Sequence, residues 1–329
     1  MREILVSPRL SRGTALSAVE RLCAFHGLTS SVEYLARRRD REFGGLNNWQ
    51  VMRHAYRGHP RPVRLALDVI AGRRVTTTIH ATRVVSASLL LLPISSNRAR
   101  LGANLVLAST TMMLRPRHRY GGDGADQAAV VVHTATALAR TGGPATTDAC
   151  LWFIALQSVL SYTASGYAKL SNPAWRDGTA LTRIMSTRLF GNKTMWRILH
   201  GHPEVSRALS AGVLALECAF PLVFVARGRL APLFVWPAIA FHLVNGGVMG
   251  LGRFGWAFIA MHPAVIYATR RPRDGRSDVM PYLALIGTAG ATAVAAIVRT
   301  RDGAPGRRAD ADVQNQEGLR ADGVVERPR

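Results

Sequence analysis

Lys169 is the first candidate for chemistry in this sequence. Only two of the 42 basic side chains in the 329 residues are lysines, Lys169 and Lys193, and Lys169 follows an uncharged run over 149–168. A desolvated lysine ammonium can lose its proton and act as a base, whereas an arginine stays charged. The simpler interpretation is a lysine that reaches from a helix end to the membrane surface. Because Lys193 stands in an ordinary polar segment, the sequence leaves both interpretations open.

Glu217 is the second candidate, because it is the one charged residue in the apolar run 208–226. A charged carboxylate in the middle of a membrane helix costs about 2.5–3.5 kcal/mol, so it is expected to be protonated, paired or turned toward a polar cavity. We predict a catalytic role for Glu217. The alternative is a structural partner for Arg83 or for a histidine within the membrane.

His242 is the third candidate. It lies in the segment FHLVNGGVMGLGRF, in which Asn245 is three residues further on and shares its helical face, so His242 is a candidate functional residue with Asn245 beside it. Three other histidines, His80, His133 and His262, fall in or near apolar runs and are interpreted as packing residues. No close pair of histidines has metal-ligand spacing, so no metal site is predicted.

Long apolar segments must position these residues. The runs 149–168, 230–252 and 279–298 contain no charged residue over 20, 23 and 20 positions, and 208–226 is interrupted only by Glu217. About 20 apolar residues cross a bilayer as a helix, so these are four strong candidate spans. Four shorter runs, of 13 to 16 residues, are weaker candidates: 84–97, 101–114, 127–139 and 254–269. The fold class predicted is an all-α, polytopic membrane helical bundle with about eight spans.

The arginines suggest how the chain is divided. Residues 1–75 carry 14 Arg and 6 Asp or Glu. The positive-inside rule places this basic N-terminal amphipathic region in the cytoplasm, with short helices on the membrane surface that touch anionic lipid. A small cytoplasmic subdomain is an equal alternative. Residues 76–298 are predicted to be the transmembrane domain, and 299–329, rich in charge and poor in large apolar residues, a disordered tail.

Charge and cysteine content exclude other classes. The net charge of +22 comes from arginines placed mainly between apolar runs and not on one basic face, so we predict no nucleic-acid partner and a location in the cell membrane. The three cysteines, Cys23, Cys150 and Cys218, form no CxxC pair, so neither a disulfide nor a cysteine metal site is predicted.

Three sequence blocks carry a family resemblance. In order, they are YTASGYAKLSNPAWRDGTAL, LECAFPL and FHLVNGGVMGLGRF. Together they resemble the HTTM domain, the membrane core shared with vitamin K-dependent gamma-carboxylases, over roughly 76–270. The most specific part is a Tyr-x-x-x-Gly-x-x-Lys-Leu run followed by Trp and Gly, and it is matched by Tyr162, Gly166, Lys169, Leu170, Trp175 and Gly178.

The resemblance implies an activity. In the carboxylases the lysine that matches Lys169 deprotonates reduced vitamin K, which is then oxygenated to a stronger base. By resemblance, the chain would bind a reduced, vitamin K-like quinone beside Lys169, with Glu217 and His242 in support and Asn245, Tyr162 and Trp175 as substrate-binding residues. The chain has GGDGADQ, with Asp123 and Asp126, where animal enzymes have a histidine-containing segment. The alternative function is a non-enzymatic membrane protein that binds a lipid or a peptide partner.

Overall fold

The described part of the chain consists of helices and their connections. We analysed a computed structural model that describes residues 10–42, 44–45, 47–93, 96–118 and 124–270. Its α-helices are α1 (Arg12–Ala36), α2 (Trp49–Met52), α3 (Arg61–Ala71), α4 (Arg73–Leu91), α5 (Asn97–Leu114), α6 (Ala125–Thr141), α7 (Pro144–Leu170), α8 (Pro173–Arg176), α9 (Ala180–Met185), α10 (Lys193–Gly201), α11 (Pro203–Cys218), α12 (Ala231–Met249), α13 (Gly252–Ile259) and α14 (His262–Arg270). Short 3₁₀ segments connect some of them, and no strand occurs in the described residues. The predicted all-α class is therefore confirmed for this part of the chain.

Helices α1 and α7 lie at the centre of the bundle. Helix α1 packs against α4, α6, α13 and α14, and helix α7 packs against α6, α11 and α14. The main apolar core lies between these elements and joins residues of α1, α6, α7, α12, α13 and α14. Helix α11 is thereby held beside the C-terminal half of α7, which brings Glu217 toward Lys169.

Membrane-spanning capacity is narrower than the sequence predicts. By length and apolar composition, α7 and α12 can cross a membrane, and α11 with the following segment Phe220–Gly228 is a third candidate that is bent by 56°. These three correspond to the strong runs 149–168, 230–252 and 208–226. The fourth strong run, 279–298, lies outside the described residues. The count of about eight spans is thus not confirmed.

The weaker runs show why the count falls. The runs 84–97, 101–114 and 127–139 lie mainly in α4, α5 and α6, which are only 17 to 19 residues long and carry arginines, threonines and a histidine within that length. The run 254–269 is divided between α13 and α14, of 8 and 9 residues. Polar residues and breaks therefore keep these helices short of the composition of a lipid-exposed span.

The segment 1–75 has two structural parts. Residues Arg12–Ala36 form a single 25-residue helix, in which Ala15, Val19 and Cys23 are fully buried among helices of the predicted transmembrane domain. Two shorter helices, α2 and α3, follow further on, and no residue of α3 is buried; their position on a membrane surface stays a prediction. The domain boundary at residue 75 stays a prediction, but α1 packs into the same core as the helices beyond it.

A sharp break separates α11 from α12. Ala226 and Arg227 have φ values of +53° and +54°, and Gly228 follows with +74°. Left-handed backbone is unfavourable for residues that carry a Cβ, so tertiary contacts must hold this turn. At Gly228 a Cβ would lie 2.6 Å from the carbonyl oxygen of Thr269 on α14. Only glycine permits this approach, which fixes the turn against the last described helix.

Candidate functional site

One face of α7 carries a row of polar side chains. Ser158, Tyr162, Ser165 and Lys169 follow one another at spacings of three or four residues, which places them on one helical face. Ser158 and Tyr162 are buried, and Lys169 stands one residue before the end of the helix. A helix that runs through the centre of the bundle therefore lines its interior with titratable and hydroxyl groups.

Lys169 and Glu217 form a two-pronged ion pair. The ammonium Nζ donates hydrogen bonds to Glu217 Oε2 at 2.6 Å and Oε1 at 2.9 Å, and it also donates to Ser165 Oγ. The side chain of Glu217 is 4% exposed and that of Lys169 is 21% exposed. The Glu217 carboxylate is thus enclosed, whereas part of the Lys169 side chain reaches the surface of the structure.

A glycine allows the two helices to approach this closely. A Cβ at Gly166 would lie 2.7 Å from the backbone nitrogen of Cys218 and 2.9 Å from its sulfur. Real Cβ atoms do not come so near, so a larger residue would push α11 away from α7. Gly166 is one turn before Lys169, and this close contact therefore sets the distance between the ammonium and the carboxylate.

Trp175 belongs to the same site. It lies on the short helix α8, and Lys169 Nζ is 5.4 Å from the centre of its ring. A cation at this distance from an indole ring is attracted by the ring quadrupole. The structure therefore places two of the predicted site residues, Trp175 and Glu217, against Lys169.

Tyr162 holds a second hydrogen-bonded group deeper in the bundle. Its hydroxyl lies 2.7 Å from His242 Nε2 and 3.1 Å from His262 Nε2. A phenol has one proton, so the hydroxyl donates to one imidazole and accepts from the Nε2–H of the other. The structure thus brings predicted Tyr162 and His242 together and adds His262, which the sequence analysis had assigned to packing.

Aromatic rings enclose this tyrosine–histidine group. Phe220 stacks on Tyr162 with ring centres 4.0 Å apart, and Phe258 stacks on His242 at 5.3 Å, while Phe254 lies at the edge. Such apolar walls keep water away and strengthen the electrostatic interactions inside. Polar atoms in these surroundings need partners.

Three buried polar atoms in this region have no hydrogen-bond partner among the described residues. They are His242 Nδ1, His262 Nδ1 and Ser158 Oγ, in residues that are 2%, 1% and 0% exposed. Leaving a buried polar group unpaired costs about 1–3 kcal/mol, so a ligand or water that pairs with it would stabilise the folded protein. Tyr162 and Lys169 lie two turns apart on the same face of α7. The ion pair and the tyrosine–histidine group are therefore parts of one region.

The hydrogen bonds observed for Asn245 are made by its backbone at the end of α12. Its backbone carbonyl accepts hydrogen bonds from the N–H groups of Gly250 and Leu251 and so ends α12. Gly250 adopts a left-handed conformation there, as helix ends favour. Among the described residues no contact joins Asn245 to the ion pair, and its substrate-binding role stays a prediction from the family resemblance.

Four cavities lined by described residues lie away from the ion pair. Their linings do not include Lys169, Glu217 or His242. Among the described residues there is also no cluster of three or more His, Cys, Asp or Glu side chains arranged to hold a metal ion. The three cysteines are free thiols.

Glu20 anchors a polar network that the sequence analysis missed. This carboxylate on α1 is fully buried and pairs with Arg100 at 2.9 Å and Arg140 at 2.6 Å. It also accepts from Asn104, whose amide oxygen in turn lies 2.8 Å from His133 Nδ1. The available signal was a single acidic residue within the largely apolar stretch TALSAVERLCAF. The two arginines and one carboxylate make this a structural tie between α1, α5 and α6.

Arg83 is not the partner of Glu217. Its guanidinium donates to the hydroxyls of Ser31, Thr110 and Thr111 at 2.7 to 3.1 Å, and only 1% of the residue is exposed. The alternative that paired Glu217 with Arg83 is therefore wrong, because hydroxyls of α1 and α5 satisfy the arginine. The cation that pairs with Glu217 is Lys169 on the neighbouring helix α7.

Two further polar contacts involve Asp126 and His118. Asp126, in the first turn of α6, lies 3.2 Å from Nε2 of His26 on α1, while Asp123 is outside the described residues. The half-buried His118 lies 3.1 Å from His80 on α4, nitrogen to nitrogen, and both rings stack on Tyr34. Desolvation lowers the pKa of His118 to about 3, so this imidazole is neutral at physiological pH. These contacts join Asp126 to α1 and His118 to α4.

No family model, curated protein or solved structure matches this chain.

Proposed function

We propose that this chain is an integral membrane enzyme that removes a proton from the hydroxyl group of a membrane-soluble compound of the reduced-quinone class. The observation that carries the proposal is the Lys169–Glu217 pair, in which the chain's exceptional lysine meets an enclosed carboxylate at 2.6 Å. The resemblance to the membrane core of vitamin K-dependent carboxylases supports the choice of substrate class. The cell membrane as location is part of the same proposal, supported by the apolar helices α7 and α12.

Lys169 is an ammonium in the ion pair, and it can act as a base once Glu217 has taken one of its protons. The Lys169 ammonium passes one proton to the Glu217 carboxylate, to which it is hydrogen-bonded, and the resulting amine accepts the proton of the substrate hydroxyl. The products are a substrate oxyanion, a lysine ammonium and a neutral glutamic acid, so charge and protons balance. Because the amine is the more exposed of the two groups, it is the one that meets the substrate.

The ammonium then stabilises the oxyanion that it has created. A positive charge held beside a developing negative charge in an enclosed site lowers the barrier for forming it. The ring of Trp175, against which Lys169 lies, offers an aromatic surface for a planar quinol ring. Further inside, His242 Nδ1 and Ser158 Oγ are available to hydrogen-bond a polar group of the substrate.

The alternative is a non-enzymatic membrane protein that binds a lipid or a peptide. One observation favours it: Glu217, Ser165 and Trp175 already occupy the Lys169 ammonium, as in a clamp that only joins α7 to α11. In that case arginine would serve as well as lysine, since it can make the same ion pair and cation–π contact.

Oxygen consumption by purified protein with a reduced naphthoquinone separates the two proposals, because a quinol oxyanion reacts with oxygen faster than the neutral quinol. Lys169→Arg is expected to lower the protein-dependent rate about 100-fold or more, the usual contribution of a general base. Lys193→Arg, the same change at the only other lysine, is the matched control and should leave the rate unchanged. Full activity of Lys169→Arg, or no quinol-dependent rate in the unmodified protein, would overturn the enzymatic proposal.

A further inference from the structure

A cleft lined by arginines lies far from the Lys169 site, between the residues that precede α3 and α3 itself. Its volume is about 300 Å³, and its lining includes Arg53, Arg57, Arg61 and Arg64, with Asp68 as the only carboxylate. A second cavity of about 600 Å³ shares Trp49, Arg53 and Asp68 with it. The two cavities form one continuous basic surface at the edge of the bundle, which we call the arginine cleft.

Most of the positive charge in the cleft is uncompensated. Asp68 accepts from Arg53 at 2.9 Å with one carboxylate oxygen and from Trp49 Nε1 at 2.7 Å with the other. Each oxygen of the Asp68 carboxylate therefore already accepts a hydrogen bond, one from the indole and one from Arg53. Arg57, Arg61 and Arg64 have no ion pair among the described residues. Three unpaired guanidinium groups around a concave surface suit an anion with several oxygens, such as a phosphate.

The helix that forms one wall of the cleft also presents apolar side chains to the outside. Leu65 and Val69, one turn apart on α3, are 55% and 63% exposed, and Val63 is 41% exposed. Leu65 lines the cleft as well, so the basic and the apolar surfaces meet along this helix. Such a helix, on which arginines and uncovered aliphatic residues lie on adjacent faces, is typical of one that lies in the membrane interface.

Two aromatic residues also line the arginine cleft. Trp49 and Tyr56 both line the cleft, with ring centres 6.0 Å apart. Tryptophan and tyrosine are enriched where the lipid headgroups meet the hydrocarbon layer. A soluble phosphate compound would use the arginines but not the exposed leucine and valines, whereas a phospholipid would use both.

We propose that the arginine cleft binds the phosphate headgroup of an anionic phospholipid, whose acyl chains lie along Leu65 and Val69. This inference is independent of the chemistry at Lys169. The guanidinium groups of Arg57, Arg61 and Arg64 hold the phosphate, and the aliphatic side of α3 enters the acyl layer. The site fixes α3 in the membrane interface beside α4, which it contacts.

Native mass spectrometry of the full-length protein in detergent, titrated with phosphatidylglycerol or phosphatidylcholine, tests this site. The unmodified protein is expected to retain one phosphatidylglycerol more tightly than phosphatidylcholine. The variant Arg57→Gln/Arg61→Gln/Arg64→Gln should bind it about 10- to 100-fold more weakly, as expected for three arginines near anionic lipid. The control Arg98→Gln/Arg183→Gln/Arg229→Gln removes the same charge from exposed residues outside the described cavities and should bind normally.

A second variant separates lipid from free phosphate. Leu65→Ser/Val69→Ser keeps every arginine, so it should weaken phosphatidylglycerol binding and leave the affinity for inorganic phosphate unchanged. The proposal is overturned if both triple variants lose the lipid equally, which would show a net-charge effect only. It is also overturned if Leu65→Ser/Val69→Ser binds the lipid as the unmodified protein does, which would indicate a phosphate site. A dimer that the Arg57→Gln/Arg61→Gln/Arg64→Gln variant abolishes would assign the cleft to a second copy of the chain and refute it likewise.

Discussion

The Lys169–Glu217 ion pair should be energetically coupled, and a double-mutant cycle can measure the coupling without any substrate. Lys169→Met removes the ammonium and leaves the Glu217 carboxylate, 4% exposed, without its cation. Breaking a buried ion pair in this way costs about 3–5 kcal/mol. Because 21% of the Lys169 side chain is exposed and water screens the pair, we expect about 2–3 kcal/mol.

The reverse change should cost less. Glu217→Gln leaves an ammonium that can turn toward the surface and become hydrated, so we expect the free energy of unfolding to fall by only about 1–2 kcal/mol. The double variant Lys169→Met/Glu217→Gln removes both charges and should cost little more than Glu217→Gln alone. The difference between the summed single costs and the double cost is then about 2 kcal/mol.

The assay is denaturant unfolding of the purified protein in detergent micelles, with the free energy of unfolding taken for each of the four proteins. Lys193→Met is the control, since Lys193 is exposed and its loss should change the free energy by less than about 0.5 kcal/mol. A double variant whose cost equals the sum of the single costs would refute the coupling. It would also mean that water, and not Glu217, satisfies the Lys169 ammonium.

Two further predictions concern pH and helix packing. Desolvation lowers the pKa of the half-buried His118 to about 3, so below about pH 6.5 unfolded chains bind a proton that the folded protein does not, and the free energy of unfolding falls as the pH falls toward 3. His118→Phe should reduce this slope by up to about 1.4 kcal/mol per pH unit in unfolding measurements between pH 7 and pH 5, and an unchanged slope would contradict the argument. Gly166→Ala should destabilise by about 1–3 kcal/mol in thermal unfolding, because its methyl group meets Cys218. Gly212→Ala, at an open position in the same helix pair, is expected to be neutral or stabilising, and equal losses at both glycines would refute the packing argument.

The sequence singled out both members of the ion pair but did not predict that they meet, since the partners proposed for Glu217 were Arg83 and a histidine. A lone lysine after an apolar run and a lone glutamate within another each predicted an unusual environment, and charge complementarity is a strong reason for two such residues to meet. Their meeting depends on the approach of α7 to α11 at Gly166, a close contact between residues about 50 positions apart in sequence. Local patterns do not record such contacts.

Polar helices inside the bundle were the harder part. Helix α1 contains Glu20, His26 and a serine pair, and its sequence resembles a surface helix because the buried side is polar as well as apolar. Partners supplied by α5 and α6 make that burial favourable: Arg100, Asn104 and Arg140 surround the Glu20 carboxylate. Hydropathy alone assigns such residues to solvent, whereas a satisfied network allows them in the interior.

The central place of α1 has a consequence for biosynthesis. Helix α1 leaves the ribosome first among the described helices, yet α13 and α14, against which it packs, are synthesised about 250 residues later. At roughly 5–20 residues per second, the side of α1 that packs against α13 and α14 stays uncovered for roughly 12–50 s after α1 is made, whereas α5 and α6 reach the Glu20 carboxylate much earlier. A chain that stops before residue 252 would lack both late helices and would leave that side of α1 exposed.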